Sequence, residues 1–283
     1  MRTVLFLPAS NPRAIEKARG LVVDAVVLDL EDAVAADHKA EARARAVEAV
    51  QAGGFQAPRL AVRVNGLDTP WGRADLKAVS AAGPDAVLAP KVDDAEALAA
   101  YGRALGGAPE RTRLWAMIET CRGVLNLPAI AASAAEHRLT ALVAGVNDLA
   151  KDMRCRPGPG RAPLLPALAQ VVTAGRAHGL AVLDGVYNAL ADEAGLRAEC
   201  VQGRDFGFDG KCLIHPDQIA VARAAFGPDA AELAWARAVV EAFGSAENVG
   251  KGAIRVDGRM VERLHLVEAE RLLGLAAEDR LSA

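Results

Sequence analysis

The stretch Ala25-Val26-Val27-Leu28-Asp29-Leu30-Glu31-Asp32-Ala33-Val34 decides how the rest of the chain reads. Four apolar residues of strand length run directly into three carboxylates, as a buried parallel strand does where it emerges into a polar site. Seven further runs of the same kind follow the same plan: Val4–Leu7, Leu60–Val64, Ala86–Leu88, Leu114–Ile118, Ala141–Val143, Ala181–Asp184 and Lys211–Ile214. Between them lie Ala-rich helical stretches with start signals, such as Asn11-Pro12 before Ala14–Arg19, Asp93 before Ala95–Leu105 and Pro166 before Ala167–His178. Regular alternation of strand and helix implies parallel pairing with right-handed crossovers.

An open doubly wound sheet alternates in the same way, so the choice rests on strand number and on where the polar residues fall. Pro8-Ala9-Ser10, Asp29-Glu31-Asp32, Arg63-Asn65, Pro90-Lys91, Glu119, Asn147-Asp148, Asp184 and His215 each follow a strand at once. In a barrel those positions meet at one rim, the rim that carries catalysis in that fold. The fold expected is therefore α/β, a (β/α)8 TIM barrel over residues 1–226, with a C-terminal helical and β-ribbon extension over 227–283. In that extension Ala230–Phe243 reads as a helix, Ala253–Met260 as a ribbon turning at Asp257-Gly258, and Val261–Leu275 as a closing helix. Three roles fit it: a lid, an arm on a neighbouring subunit, or a buttress on its own barrel. The Pro-, Gly- and Arg-rich segment Arg154–Pro166 is expected to cover the rim.

Composition excludes several classes. A net charge of -3 gives no reason to expect nucleic acid or an anionic membrane as a partner, since those surfaces demand a basic excess. No apolar run reaches membrane-span length, and the apolar start Val4–Leu7 is too short for a signal-peptide core. The four cysteines lack paired spacing, which suits reduced thiols and a cytoplasmic protein. Walker, GxGxxG, nucleophile-elbow and zinc-ligand patterns are absent from the sequence.

The chemistry falls to the rim carboxylates. Glu119 and Asp148 are the candidate metal pair, since two hard oxygen donors with nothing softer nearby suit Mg²⁺ and leave positions for water and substrate. Asp148 taken alone also reads as a helix cap. Arg63 offers a guanidinium fork for a substrate carboxylate, or a structural ion pair with Asp29 or Glu31. Lys91 reads as a charge-balancing or ligand-orienting group, or as a Schiff-base lysine. His215 reads either as a hydrogen-bonding residue that shapes the rim or as a base.

The segments VLFLPASNPRAIEKA (4–18), LDLEDAV (28–34), RVN (63–65), PKV (90–92), IET (118–120), GVNDLA (145–150) and GFDGKCLIHPDQI (207–219) resemble the citrate lyase beta subunit group. That group stands with the HpcH/HpaI aldolases and the malyl-CoA and citramalyl-CoA lyases. The resemblance implies a trimeric or hexameric TIM barrel that uses Mg²⁺ to cleave a 3-hydroxy-acyl thioester of CoA or acyl carrier. The products are a 2-oxo acid (oxaloacetate, glyoxylate or pyruvate) and an acyl thioester. It places Glu119 and Asp148 as metal ligands and Arg63 and Glu119 on the substrate. Lys91 and Asn65 are expected beside the substrate, and with the metal so assigned Asp29, Glu31 and Asp32 stand one shell outward, holding metal-bound waters and orienting Arg63 and Lys91. Two alternatives are a free 2-oxo-acid aldolase and a catalytically weak binding subunit.

One departure stands out. Where the lyases of this group carry GKMID or GRMVD, with an Asp that serves as acid or base at the acyl carbon, this chain reads GRMVE and ends the motif in Glu262. One extra methylene moves a carboxylate by about 1.5 Å, and misplacement of that size costs on the order of 10²-fold in rate.

Overall fold

The computed structural model describes residues 1–281, with side chains as far as residue 277. Its eight apolar runs are parallel strands: β1 (Thr3–Pro8), β2 (Ala25–Asp29), β3 (Leu60–Arg63), β4 (Ala86–Ala89), β5 (Arg113–Ile118), β6 (Leu139–Ala144), β7 (Ala181–Asp184) and β8 (Gly210–Leu213). Each pairs with the next and β1 pairs with β8, so the sheet closes into the expected (β/α)8 barrel.

The helices between and after the strands are α1 (Pro12–Arg19), α2 (Lys39–Ala52), α3 (Gly72–Ala82), α4 (Ala95–Ala104), α5 (Cys121–Leu125), α6 (Leu127–Ala132), α7 (Val146–Asp152), α8 (Leu165–Ala177), α9 (Glu193–Phe206) and α10 (Gln218–Phe226). Their starts follow local chemistry. Asn11 caps α1 by accepting the Ala14 N–H at 3.1 Å. Asp94, rather than the expected Asp93, caps α4 through the Ala97 N–H at 2.9 Å. Asp93 instead accepts the hydroxyl of Thr120, the residue that caps α5.

Side-chain alternation along the strands decides what reaches the site. Ala25 and Val27, Ala61, Ala86 and Leu88, Trp115 and Met117, Ala141 and Val143 pack together inside the barrel. Small alanines on some strands leave room for Trp115 and Met117 on β5. The same parity carries inward to Asp29, Arg63 and Glu119 at the carboxyl ends.

The chain packs as two units, one over Met1–Arg223 and a second beginning at Ala224. In the second, α11 (Ala230–Gly244) starts with a full capping box between Asp229 and Glu232. It packs with the hairpin β9 (Ala253–Val256) and β10 (Arg259–Glu262) and with α12 (Arg263–Leu281) around Val239, Phe243, Ile254 and Val261. Asp257 and Gly258, with φ +47° and +80°, form the turn that twists with the strands. The closing helix starts at Arg263 rather than Val261, because Val261 still pairs with Ile254 across the hairpin. Among the described residues no helix is long and apolar enough to cross a membrane.

Candidate active site

A cavity of about 390 Å³ opens at the carboxyl ends of the strands. Its walls include Asp29, Asp32, Arg63, Glu119 and Asp148, set among Phe6, Met117, Val146 and Ile214. Residues more than a hundred positions apart in sequence thus meet where the fold concentrates its chemistry.

Arg63 is held before any ligand arrives. Its Nε and Nη2 donate to the two carboxylate oxygens of Asp29 at 2.7 and 2.6 Å, a fork-to-fork pair across neighbouring strands. Nη1 lies 2.9 Å from Glu31 Oε2 and 3.5 Å from Met117 Sδ, and the guanidinium stands over the Phe6 ring. Burial works against the charge, yet Asp29 and Glu31 raise the Arg63 pKa overall, so it stays a cation. Arg63 thus makes the structural pair with Asp29 and also lines the cavity.

Glu119 is 2% exposed, and burial together with the charge of Glu31 pushes its carboxyl up to about 8. It receives the Lys91 backbone N–H at Oε1, 2.8 Å away. Lys91 adopts φ +47°, a left-handed backbone that aims this N–H at Glu119, while its ammonium pairs with Glu31 Oε1. Lys91 acts on the site through Glu31 and Glu119 and does not line the cavity wall. Its pKa is raised, burial notwithstanding, by the bond to Glu31, so it is no candidate for an uncharged Schiff-base amine. Burial also raises the Glu31 carboxyl, with Arg63 and Lys91 opposing.

Asp148 sits in the first turn of α7, third residue of the helix, and lines the same cavity as Glu119. It is not the cap: Gly145 occupies that position. Among the described residues its carboxylate has no hydrogen-bond or ion-pair partner. Gly145 was missed by sequence reasoning. A Cβ there would overlap the Cβ and Oε2 of Glu119, so the β6–α7 turn needs glycine for the Glu119 carboxylate to lie against it.

Some expectations move. Asn65 does not enter the cavity. Its amide donates to Leu30 O and Asp75 Oδ2 at 2.9 and 2.5 Å and accepts from Lys39 Nζ at 2.7 Å, which makes it a buried strut. Asp184 follows its strand but faces outward, because Leu183 takes the inward position. It is fully buried against Lys211 and Arg161, at 2.9 and 2.7 Å. Arg161 is therefore the anchor of the 154–166 segment: it turns in to Asp184 and Gln202, and the segment walls a second cavity beside the first. His215 is partly exposed and accepts from Asp217 N–H, outside the cavity wall. Glu262 ends β10 in the second unit, where its N–H donates to His265 Nδ1 at 2.9 Å. Cys212 reaches the cavity, but burial lifts its thiol to about 12, so it supplies no thiolate.

The donor set fits a hard divalent cation. Asp29, Asp32, Glu31, Glu119 and Asp148 are five carboxylates against the two cations Arg63 and Lys91, and Glu119 ionises only with difficulty as it stands. Among the described residues no three His, Cys, Asp or Glu side chains converge as a closed metal cage. Two oxygen donors, Glu119 and Asp148, with the remaining positions left to water and ligand, suit Mg²⁺ better than zinc.

The HpcH/HpaI aldolase/citrate lyase family model matches residues 2–216. Over 275 residues the chain is 49% identical to a (3S)-malyl-CoA thioesterase of Cereibacter sphaeroides strain KD131, covering 97% of this chain and 94% of that protein. Over 291 residues it is 34% identical to citrate lyase subunit beta of Leuconostoc mesenteroides subsp. cremoris, covering 99% and 94%. Among solved structures it resembles CitE of Mycobacterium tuberculosis in complex with magnesium, acetoacetate and coenzyme A, with TM-score 0.81, 30% identity and 98% of each chain covered. With the closed barrel and the rim carboxylates already in view, these matches settle the lineage: the chain belongs to the HpcH/HpaI aldolase/citrate lyase family.

Proposed function

We propose that this protein is a Mg²⁺-dependent carbon-carbon lyase acting on a malyl-type 3-hydroxyacyl-CoA thioester, which it breaks into a 2-oxo acid and an acyl-CoA. The observation that carries the reading is the joint presence of Arg63, Glu119 and Asp148 on one cavity of ligand size. Magnesium in a CitE structure and a malyl-CoA substrate in a relative of near-half identity support it.

Glu119 and Asp148 would hold the cation, which when bound withdraws charge from the hydroxyl and carboxylate oxygens of the substrate. The Arg63 guanidinium, which lines the cavity, takes the terminal carboxylate, and Asp29 keeps it from rotating. Phe6, Val146 and Ile214 limit water around the reacting carbon. The 3-hydroxyl gives its proton to solvent water at the cavity mouth, its oxygen becomes the carbonyl of the 2-oxo acid as the carbon-carbon bond breaks, and the bonding pair passes to the thioester fragment as an enolate. That carbon then takes a proton. In this proposal the Glu262 carboxyl is the acid, which Glu262→Gln tests separately from the cavity.

A second reading is hydrolysis of the same thioester, favoured by the 49% identity to malyl-CoA thioesterases. The anchoring of the hydroxy-acid end is common to both. Incubation of (3S)-malyl-CoA with protein and Mg²⁺ separates them: glyoxylate and acetyl-CoA mark carbon-carbon cleavage, and malate with free CoA marks hydrolysis.

A further inference from the structure

A second concentration of chemistry lies on the outside of the barrel, in the groove between α3 and α4. The cavity there measures about 680 Å³ and is lined by Arg73, Lys77 and Ser80 of α3 and Arg103 of α4. Positions 73, 77 and 80 fall on one helical face, so the three α3 side chains address the groove together. No Asp or Glu is among the lining residues. Among the described residues none of the three cations makes an ion pair, in a chain whose net charge is -3.

Ser80 supplies an independent sign. It is 5% exposed, it lines the groove, and among the described residues its Oγ has no hydrogen-bond partner. An orphaned buried hydroxyl is unfavourable until an acceptor reaches it. Every charged or hydroxyl side chain facing the groove is a donor or carries donors, so the complementary ligand is anionic and rich in acceptor oxygens. Leu76, Ala100 and Ala104 provide an apolar wall beside the cations. The volume exceeds what a lone phosphate needs and lies within the range of about 300–1,000 Å³ usual for small-ligand sites.

We propose that the α3–α4 groove binds the phosphate of a nucleotide-sized phosphate ester. The ester has two possible sources: a free nucleotide, or the nucleotide end of CoA, the latter resting on the function proposed above. Arg73, Lys77 and Arg103 neutralise the phosphate, Ser80 Oγ donates to it, and the apolar wall takes the attached ring system.

Calorimetric titration with ADP, CoA and inorganic phosphate tests this on wild type, on the exposed-residue double variant Lys77→Ala/Arg103→Ala, and on Ser80→Ala. Wild type is expected to bind ADP saturably at one site, with phosphate weaker. The double variant loses at least tenfold, and Arg63→Lys, a control for binding in the catalytic cavity, retains the affinity. Ser80→Ala weakens ADP binding several-fold yet raises the unliganded Tm by about 2 °C or more, since it removes a hydroxyl that had no partner. Displacement of ADP by CoA assigns the site to the CoA nucleotide, and co-binding assigns it to a free nucleotide; both uphold it. Absence of saturable binding by ADP and CoA, or affinity indifferent to Lys77 and Arg103, overturns it whatever happens to malyl-CoA.

Discussion

Lys91 gives its backbone N–H to Glu119 Oε1 at 2.8 Å from a backbone with φ +47°, a conformation that a residue bearing a side chain adopts at a cost. The cost is separable from the ammonium. Lys91→Ala keeps the N–H and the strain, whereas Lys91→Gly keeps the N–H and relieves it. In urea denaturation the Gly variant is expected to be about 1 kcal/mol more stable than the Ala variant, the reverse of their order in ordinary backbone.

Glu119 sets a pH dependence whose sign is fixed by its raised carboxyl. Between 4.5 and about 8 the folded protein holds a proton that the unfolded chain has released, so the metal-free fold loses stability as pH rises through that window. Glu119→Gln removes the penalty. The Tm difference, variant minus wild type, is expected to grow from pH 5 to pH 8 in EDTA and to shrink when Mg²⁺ is added to wild type. A difference flat with pH would place the Glu119 carboxyl in the ordinary range.

Arg63 has two jobs that different substitutions separate. Arg63→Gln strands Asp29, 2% exposed, and is expected to cost about 3–5 kcal/mol, the usual result of removing one partner of a buried pair. Arg63→Lys keeps the charge and loses the fork; it should fold with a smaller loss and raise KM at least tenfold for the hydroxyacyl thioester. An unchanged KM in the folded Lys variant would reduce Arg63 to a structural cation.

Asn65 distinguishes a strut from a ligand. Asn65→Ala deprives the buried Lys39 ammonium and Asp75 carboxylate of a shared partner and is expected to cost about 2 kcal/mol in denaturation. Its KM, measured below the midpoint of unfolding, should stay within about twofold of wild type, since no atom of Asn65 lines the cavity.

The barrel was legible because the strands are mostly apolar and polar residues follow them closely, so strand number and the site-bearing end could both be read. Side-chain direction was not. In a strand buried on both faces, as in Ala181-Val182-Leu183-Asp184, nothing local says whether Leu183 or Asp184 faces inward, and Asp184 proved to face out. Asn65 was misread and Arg161 went unread for a related reason: their partners Lys39, Asp75, Asp184 and Gln202 come from distant segments. Gly145 carried a usable signal, a glycine between a strand and GVNDLA, which close approach to Glu119 accounts for. The acids of Ala25–Val34 divide in the structure: Asp29 and Asp32 reach the cavity, and Glu31 acts through Arg63 and Lys91.

The central claim is that Glu119 and Asp148 hold a divalent cation against a hydroxyacyl thioester anchored by Arg63. Turnover of (3S)-malyl-CoA, followed with and without EDTA in wild type and in Asp148→Asn, tests it most directly, because among the described residues the Asp148 carboxylate has no partner whose loss could unfold the protein. The account predicts turnover that EDTA abolishes and Mg²⁺ restores, lowered at least 10²-fold in a stably folded Asp148→Asn, the scale expected when a group stabilising developing charge is removed. Turnover indifferent to both EDTA and Asp148→Asn would contradict it.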